Sequence, residues 1–451
     1  MSVNIVHLKN LTQANEEKGD SKENVSGAEA ASQRNRPVAN LIDRKNESIY
    51  LDSPATTQCD KRVFDKMAPY FCDFYGNAHS KNHVYGWLSE EAVDVARKQI
   101  ADLLGAEEKE IVFTSGATEA NVIAIRGVVD LHRYSKKRSK IHVITSAIEH
   151  KSILNCCKQL EEEGVRVTYL PVNHDGLIQL DDLKSAISED TVLVSIMAVN
   201  NELGVIQPIE EIGAVCEERG VAFHSDITQA VGKMPLNLRS FPIALASLSS
   251  HKIYGPKGIG ALFVRKKPHV KLRSIFPGGG QERGIRGGTL AVQLCVGFGE
   301  ACRLLSCEFT QDFARIAKLE KLLIDKILGN IPLAKLNGSR EHKVPHISNF
   351  AFPFVEGESI IIGLKNVCVS TGSACTSSSL EPSHVLQAIN ADEYSIHSSI
   401  RIGLGRFTTQ EEVEFAIDKL VVAVEKLREI SPLWEMYQDG VDFSAVNWAQ
   451  T

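Results

Sequence analysis

From residue 111 onward the chain alternates short apolar runs with longer stretches of helical periodicity, and this rhythm constrains its fold more than any other feature. Runs at 111–114, 141–145, 165–170, 191–199, 221–224 and 243–248 read as strands. Between them, 119–130, 151–163, 180–187 and 209–219 carry the spacing of amphipathic helices. Strand and helix in strict alternation build a mostly parallel sheet with helices on both faces, because each parallel connection needs a crossover long enough to hold a helix. Beyond residue 306 the texture changes. A helical stretch at 312–328 leads to runs at 346–352 and 367–370 and a helix at 411–430. The expected organisation is a polar extension (1–47), a short N-terminal segment (48–62), a large α/β domain (63–306) and a smaller α+β domain (307–451).

Composition narrows the function. A 451-residue chain that is 43% hydrophobic and 24% charged has material for a large core. Its net charge of −6 offers no electrostatic footprint for nucleic acid or an anionic membrane surface. No apolar run reaches a membrane-spanning length. The ten cysteines show no C-x-x-C pair and no zinc or disulfide spacing, so most read as small buried hydrophobes in a reducing compartment. Residues 1–47 are rich in Asn, Glu, Lys and Ser and read as disordered. They lack the apolar core of a secretory signal, and their acids argue against a mitochondrial presequence.

In open parallel sheets ligands bind beyond the carboxyl ends of the strands. Polar groups stand at five such ends. S-G-A-T-E-A-N (115–121) follows the first run; it is either an ordinary helix cap or a phosphate cradle with Ala117 and Thr118 as donors. His150 opens the helix after the second, as a structural histidine or as a ring stacked on a flat cofactor with a nitrogen left for proton transfer. Asn201 lies in N-N-E-L-G, a ready turn or a hydrogen-bonding group for a ring hydroxyl or a carboxylate. Asp226 ends an apolar run, as a helix cap or as the partner of a protonated pyridine nitrogen, with Gln229 within reach of a ring hydroxyl and His224 as support. Finally, S-L-S-S-H-K-I-Y-G-P-K-G (247–258) places Lys252 where a buried strand opens into a loop. Partial desolvation there makes an amine a usable nucleophile toward a carbonyl, and Ser249 and His251 beside it suit an anion. A glycine-dense run at 277–289 ends in Thr289, which suits a phosphate or a flexible turn. Each group has an ordinary structural explanation; their conjunction fits one cofactor, pyridoxal 5'-phosphate.

These residues, together with L-D-S-P-A-T-T (51–57), Y-G-N-A-H-S (75–80), E-H-K (149–151), H-S-D-I-T-Q-A-V-G-K (224–233), G-G-G-Q-E-R-G-I-R-G-G-T (278–289), S-T-G-S-A-C-T-S (370–377), S-S-I-R-I-G-L-G-R-F-T (398–408) and S-P-L-W-E-M-Y (431–437), resemble the pyridoxal-phosphate-dependent cysteine desulfurases of the NifS/IscS kind that serve iron–sulfur cluster assembly. The resemblance covers about 48–451. It implies an aspartate-aminotransferase-like fold of type I, working as a homodimer. Lys252 would hold the cofactor covalently. Ala117, Thr118, Ser249 and His251 would bind its phosphate, joined by Thr289 of the other subunit. His150 would stack on the ring and serve as acid and base, Asp226 would pair with the ring nitrogen, and Asn201 and Gln229 would contact the hydroxyl region. Arg401 would clamp the carboxylate of L-cysteine. Cys375, in a small polar loop, would be the nucleophile that takes the sulfur as a persulfide and can transiently ligate a cluster iron; no obligate metal site is implied. The tail would dock an iron–sulfur scaffold protein, or simply pack on the small domain; in a eukaryote a small accessory subunit and frataxin are further implied partners. The compartment would be the mitochondrial matrix or a related reduced organelle, with the cytoplasm as the alternative. Three departures stand out: Ser250 and Gly287 replace a small residue and a serine usual in the family, and Ser53–Pro54 alter the N-terminal motif. Ser250 is expected to crowd the phosphate loop.

Overall fold

The computed structural model describes residues 48–268, 270–371 and 382–441. Cys375, Trp448 and the 1–47 extension lie outside the described residues. Twelve strands are described: β1 (Ile49–Tyr50), β2 (Ile111–Thr114), β3 (His142–Ser146), β4 (Arg166–Leu170), β5 (Thr191–Ser195), β6 (Ala222–Asp226), β7 (Leu245–Ser249), β8 (Gly260–Val264), β9 (Lys335–Leu336), β10 (Ile347–Ala351), β11 (Val367–Cys368) and β12 (Ser399–Gly403). Seven of them form one sheet in the order β2-β8-β7-β6-β5-β3-β4. Only β8 runs antiparallel to its neighbours, β2 and β7; the β7-β6-β5-β3-β4 run is parallel throughout. This is the expected doubly covered sheet, with one reversed strand.

Both faces of its central strands are buried, and the polar residues they carry, among them His142, Thr145, His224, Ser225 and Ser247, are buried too, whereas the edge strand β4 is partly exposed. Side chains alternate between the faces along each strand. Ile111 and Phe113 join one core with the helix Val84–Leu104, while Val112 between them joins another with Ala117–Asp130 and Lys151–Glu162. The β5 run was expected to reach residue 199. The regular strand ends at Ser195, although the Ile196 and Ala198 N–H groups still donate to His224 O and Asp226 O of β6; between them the Met197 N–H goes to the buried Glu149 carboxylate at 2.7 Å.

A third core forms around the sheet β12-β10-β9, where Phe350, Ile400 and Ile402 meet Val413, Ile417 and Leu420 of the helix Gln410–Glu429. β1 pairs with β11, and Asp52 bridges to Gly403, so the N-terminal segment is stitched to this region. The expected boundary at 306/307 falls inside one unbroken 39-residue helix, Val292–Asn330. Val292, Cys295, Phe298 and Leu305 of that helix pack in the first core, and Ile316, Leu319, Leu323 and Ile327 in the third.

The cysteines divide. Cys156, Cys157, Cys216, Cys295 and Cys302 are buried as expected, but Cys59, Cys72 and Cys307 are exposed. Cys307 lies on the long helix between Leu305 and Ile316, a stretch in which no residue is buried.

Candidate active site

The carboxyl ends of the parallel strands open onto a cavity of about 500 Å³. Ala117, Thr118, His150, Asn201, Asp226, Gln229, Ser249, His251, Lys252 and Arg401 all line it. Ten expected residues, spread over 285 positions of sequence, thus converge on one space. Thr289 does not: it is exposed and absent from the cavity wall of its own chain.

At one end lies the N-terminus of Ala117–Asp130. The first intrahelical bond is that of the Ala120 N–H to Gly116 O, so the N–H groups of residues 117–119 have no partner within the helix. Glu119, itself on the cavity wall, is bonded to the Ser115 N–H and to Arg286 at 2.7 Å; burial raises its carboxyl, but these bonds hold it below the usual range. Ser249 is buried at the end of β7. His251 is pushed down to about 4, first by burial and then by Lys252, Lys257 and Lys233, and its Nδ1 lies 3.0 Å from Thr56 Oγ1. A neutral imidazole, a serine hydroxyl, a helix N-terminus and lysines make a donor set for a phosphate. Ser250 does not crowd this set. It is off the cavity wall, and its Oγ is so close to Gly255 that a Cβ there would meet it at 2.0 Å. Gly287 has a similar explanation, since a side chain there would meet the Gly278 backbone at 2.7 Å.

Lys252 follows β7 and donates to Pro54 O at 2.6 Å and Ala55 O at 2.7 Å. Both acceptors come from the N-terminal segment, nearly 200 residues away. Pro54 O also receives Gln229 Nε2 at 2.9 Å. The altered Ser53–Pro54 motif therefore supplies backbone carbonyls, which its side-chain changes leave intact.

Asp226 is buried at the end of β6. Its Oδ2 accepts from Asn121 Nδ2 at 2.8 Å and its Oδ1 from the Thr228 N–H at 2.9 Å. Asn121 also donates to Ser152 Oγ, 3.0 Å away, and Ser152 Oγ lies 2.8 Å from His150 Nδ1. The same Nδ1 accepts the Ser152 N–H at 3.1 Å, so His150 caps its helix and carries its own proton on Nε2. His150 thus caps its helix and also lines the cavity. Asn201 lines it from within a turn. Asn200 Oδ1 accepts from the Glu202 and Leu203 N–H groups to make the turn, and Gly204 closes it at φ 76°, where a Cβ would strike Ile347 O at 2.7 Å. His224 is structural, as expected, held between Ser195 Oγ at 2.8 Å and Ser247 Oγ at 2.9 Å.

Arg401, on β12, is buried and donates to Asp52 Oδ1 at 2.8 Å, Ser370 Oγ at 2.9 Å and Asn201 O at 2.9 Å. Its Nε is buried with no hydrogen-bond partner. Glu202 on the wall is drawn up to about 7 by burial, opposed by its bond from Ser383 Oγ (2.5 Å) and by Arg401. The lining carries four cations, Lys151, Lys252, Lys257 and Arg401, against the carboxyls of Glu119, Glu202 and Asp226, a balance that leaves room for an anionic ligand.

Sequence reasoning missed Asn121, Ser152, Asp52 and Glu202. Asp52, Asn121 and Glu202 lay within quoted motifs, but nothing local marks what they touch.

Residues 49–415 match the family described as aminotransferase class-V. The chain is 53% identical over 402 residues to the mitochondrial cysteine desulfurase of Drosophila melanogaster, covering 89% of this chain and 86% of that protein. It is 50% identical over 408 residues to the cysteine desulfurase IscS of Rickettsia felis, covering 90% and 98%. A solved NifS-like protein superposes with a TM-score of 0.78 at 33% identity, covering 84% of this chain and all of that one.

Proposed function

Because this chain belongs to the class-V aminotransferase family and, within it, to the cysteine desulfurases, we propose that it removes sulfur from L-cysteine, giving L-alanine and a persulfide on Cys375. Its fold is the type I fold of pyridoxal-phosphate enzymes, and pyridoxal 5'-phosphate is its cofactor. The donor set fits that group: an anion cradle at one end of the cavity, a buried carboxylate at the other, and a lysine amine between. When bound, the cofactor supplies a sink for negative charge at the substrate's α-carbon.

The chain's own residues supply the rest. Ala117, Thr118, Ser249 and His251 would hold the phosphate, and Asp226, fixed by Asn121 and Thr228, would face the ring nitrogen. Lys252, which donates to the Pro54 and Ala55 carbonyls, would anchor the cofactor, and its amine would carry the α-proton. Arg401 holds the substrate carboxylate, in competition with Asp52. His150 Nε2 exchanges protons with the thiols. The Cys375 thiolate forms the new S–S bond as the substrate's C–S bond breaks, and the carbon gains a proton to become alanine. The balance closes as L-cysteine plus thiol giving L-alanine plus persulfide.

The convergence of Lys252, Asp226, His150 and Arg401 on one cavity carries this reading. It is tested by incubating the protein with L-cysteine and a reductant and measuring sulfide and alanine together. Equal amounts are expected, with none from Cys375→Ala, although that variant keeps its visible cofactor band. Full turnover by Cys375→Ala would instead favour an aminotransferase or another lyase on the same fold.

Homodimerisation is part of the proposal, with Thr289 reaching the other subunit's phosphate. The exposed aromatics Phe64, Phe71, Phe74, Tyr75, Tyr85 and Trp87, clustered in one stretch of 24 residues, support it. We further propose delivery of sulfur to an iron–sulfur scaffold protein at the C-terminal tail, with a small accessory subunit and frataxin as eukaryotic partners, and the mitochondrial matrix as the compartment. Relatives named as mitochondrial support the compartment. Within the described part of the tail, Trp434 stacks on Tyr437 and lies under Arg428, so it packs on the chain itself. Among the described residues no helix is long and apolar enough to cross a membrane.

A further inference from the structure

Lys233 has no part in the chemistry above, yet it is a lysine only 5% exposed. It lies four residues beyond Gln229, in the turn that follows β6, where Gly232 is packed against Leu305 so tightly that a Cβ would meet it at 2.8 Å. Its Nζ donates to Gln229 Oε1 at 2.8 Å. The other end of the same carboxamide, Nε2, donates to Pro54 O at 2.9 Å, and that carbonyl also accepts from Lys252 Nζ at 2.6 Å. A buried chain of contacts therefore runs from Lys233 through one amide and one carbonyl to the cofactor lysine.

We propose that Lys233 is a positioning residue that fixes the hydrogen-bonding polarity of Gln229, so that the carboxamide presents its NH2 end to the Pro54 carbonyl, which Lys252 shares, and to the ring oxygen of the cofactor. The inference rests on the cofactor reading above and adds a residue to it.

A carboxamide has a donor end and an acceptor end of nearly equal size, so shape alone does not orient it. An ammonium has only hydrogens to give. With Lys233 on one side, the flipped amide would set NH2 against ammonium and oxygen against the Pro54 carbonyl, losing both bonds and leaving buried donors facing each other. Loss of a single hydrogen bond to a charged group corresponds to roughly tenfold or more in preference. Burial, and then the charge of Lys252, draws Lys233 down to about 7. A neutral amine also carries a lone pair that could accept from the flipped amide, so the preference is strongest while Lys233 is protonated. A ring oxygen that is ionised needs a donor facing it, and an amide oxygen there would repel it.

The test compares wild type, Lys233→Met, Lys233→Arg, Gln229→Leu, Gln229→Glu and the double variant Lys233→Met/Gln229→Leu. Apoprotein is titrated with pyridoxal 5'-phosphate, and the ratio of visible to near-ultraviolet bands, which reports ionisation of the ring oxygen, is read alongside the dissociation constant. Lys233→Met is expected to weaken binding about tenfold and to lower the ratio, Lys233→Arg to restore both, and Gln229→Leu to reproduce the loss. In the Gln229→Leu background, Lys233→Met should add nothing. Gln229→Glu, which cannot offer an N–H, should bind more weakly still, and it tests the polarity even where Lys233→Met does not fold. Wild-type binding and band ratio in either Lys233→Met or Gln229→Glu would overturn the inference, as would an undiminished effect of Lys233→Met in the Gln229→Leu background. Wild type lacking any visible band would overturn the cofactor reading itself, and the inference with it.

Discussion

The Glu282→Gln substitution probes how the glycine-dense loop is held. Glu282 has a left-handed backbone, φ 44°, and the next residue, Arg283, repeats it at φ 57°. Two successive non-glycine residues in that region are costly and need fixing by their surroundings. The fixing is electrostatic. Both carboxylate oxygens of Glu282 face Arg97, at 2.7 and 2.8 Å, and one also takes the Phe113 N–H at 2.7 Å. The Glu282 side chain is only 2% exposed and that of Arg97 11%. Arg97 is further enclosed by Ile111 O at 2.8 Å and by the Phe113 ring, 4.7 Å below its guanidinium. Glu282→Gln keeps the shape but leaves the buried guanidinium without a counter-charge, a change that costs about 3–5 kcal/mol. Unfolding entropy of roughly 2.1 cal/mol/K per residue gives about 0.9 kcal/mol/K for a chain of this size, so the thermal midpoint should fall by about 3–6 °C. Differential scanning calorimetry of the apoprotein measures it. Replacing both partners, Arg97→Met with Glu282→Leu, should recover much of the loss, because the charge to be neutralised is gone. A fall of less than 1 °C in Glu282→Gln would refute the reasoning, since it would mean that water or a moving side chain already neutralises Arg97.

Three further outcomes are expected. Asn121→Leu removes one of the two hydrogen bonds that hold the buried Asp226 carboxylate, weakening pyridoxal 5'-phosphate binding by about 1–3 kcal/mol in an apoprotein titration. Arg401→Lys loses the planar fork, so the KM for L-cysteine should rise roughly ten- to hundredfold while kcat changes less, as steady-state kinetics would show. Glu202 has a folded value of about 7, above the ordinary carboxylate range. Its contribution to stability is therefore complete below the unfolded pKa and is lost as pH rises through about 7. The wild-type thermal midpoint should consequently fall more steeply between pH 5 and 8 than that of Glu202→Gln, and equal slopes would exclude the carboxyl as the source.

The site was legible because strand ends are legible. Apolar runs locate the strands, the parallel sheet puts their carboxyl ends together, and the polar residues following each run must then converge. Lys252, Asp226 and His150 were found that way, and the structure places them on one wall. What supports them was not legible. Asn121 meets Asp226 across 105 positions and Arg401 meets Asp52 across 349, distances set by register and not by any local pattern. Lys233 lay within a quoted motif, but a buried lysine looks like any other until its surroundings are known. The unbroken helix across residue 306 escaped notice for the opposite reason: its polar middle resembles a linker, although only its outer side is wet.

That helix has a consequence for selectivity. At 1.5 Å per residue its 39 residues span about 58 Å, and it is rooted in the core beneath Lys252 and in the core beneath Arg401 alike. Under the proposed roles, the amine at one end of the substrate and the guanidinium at the other would be fastened to a single helix, which would act as a ruler. The scaffold would then set the distance between amino and carboxylate groups, admitting α-amino acids as a class, and discrimination among them would fall to whatever reaches the sulfur.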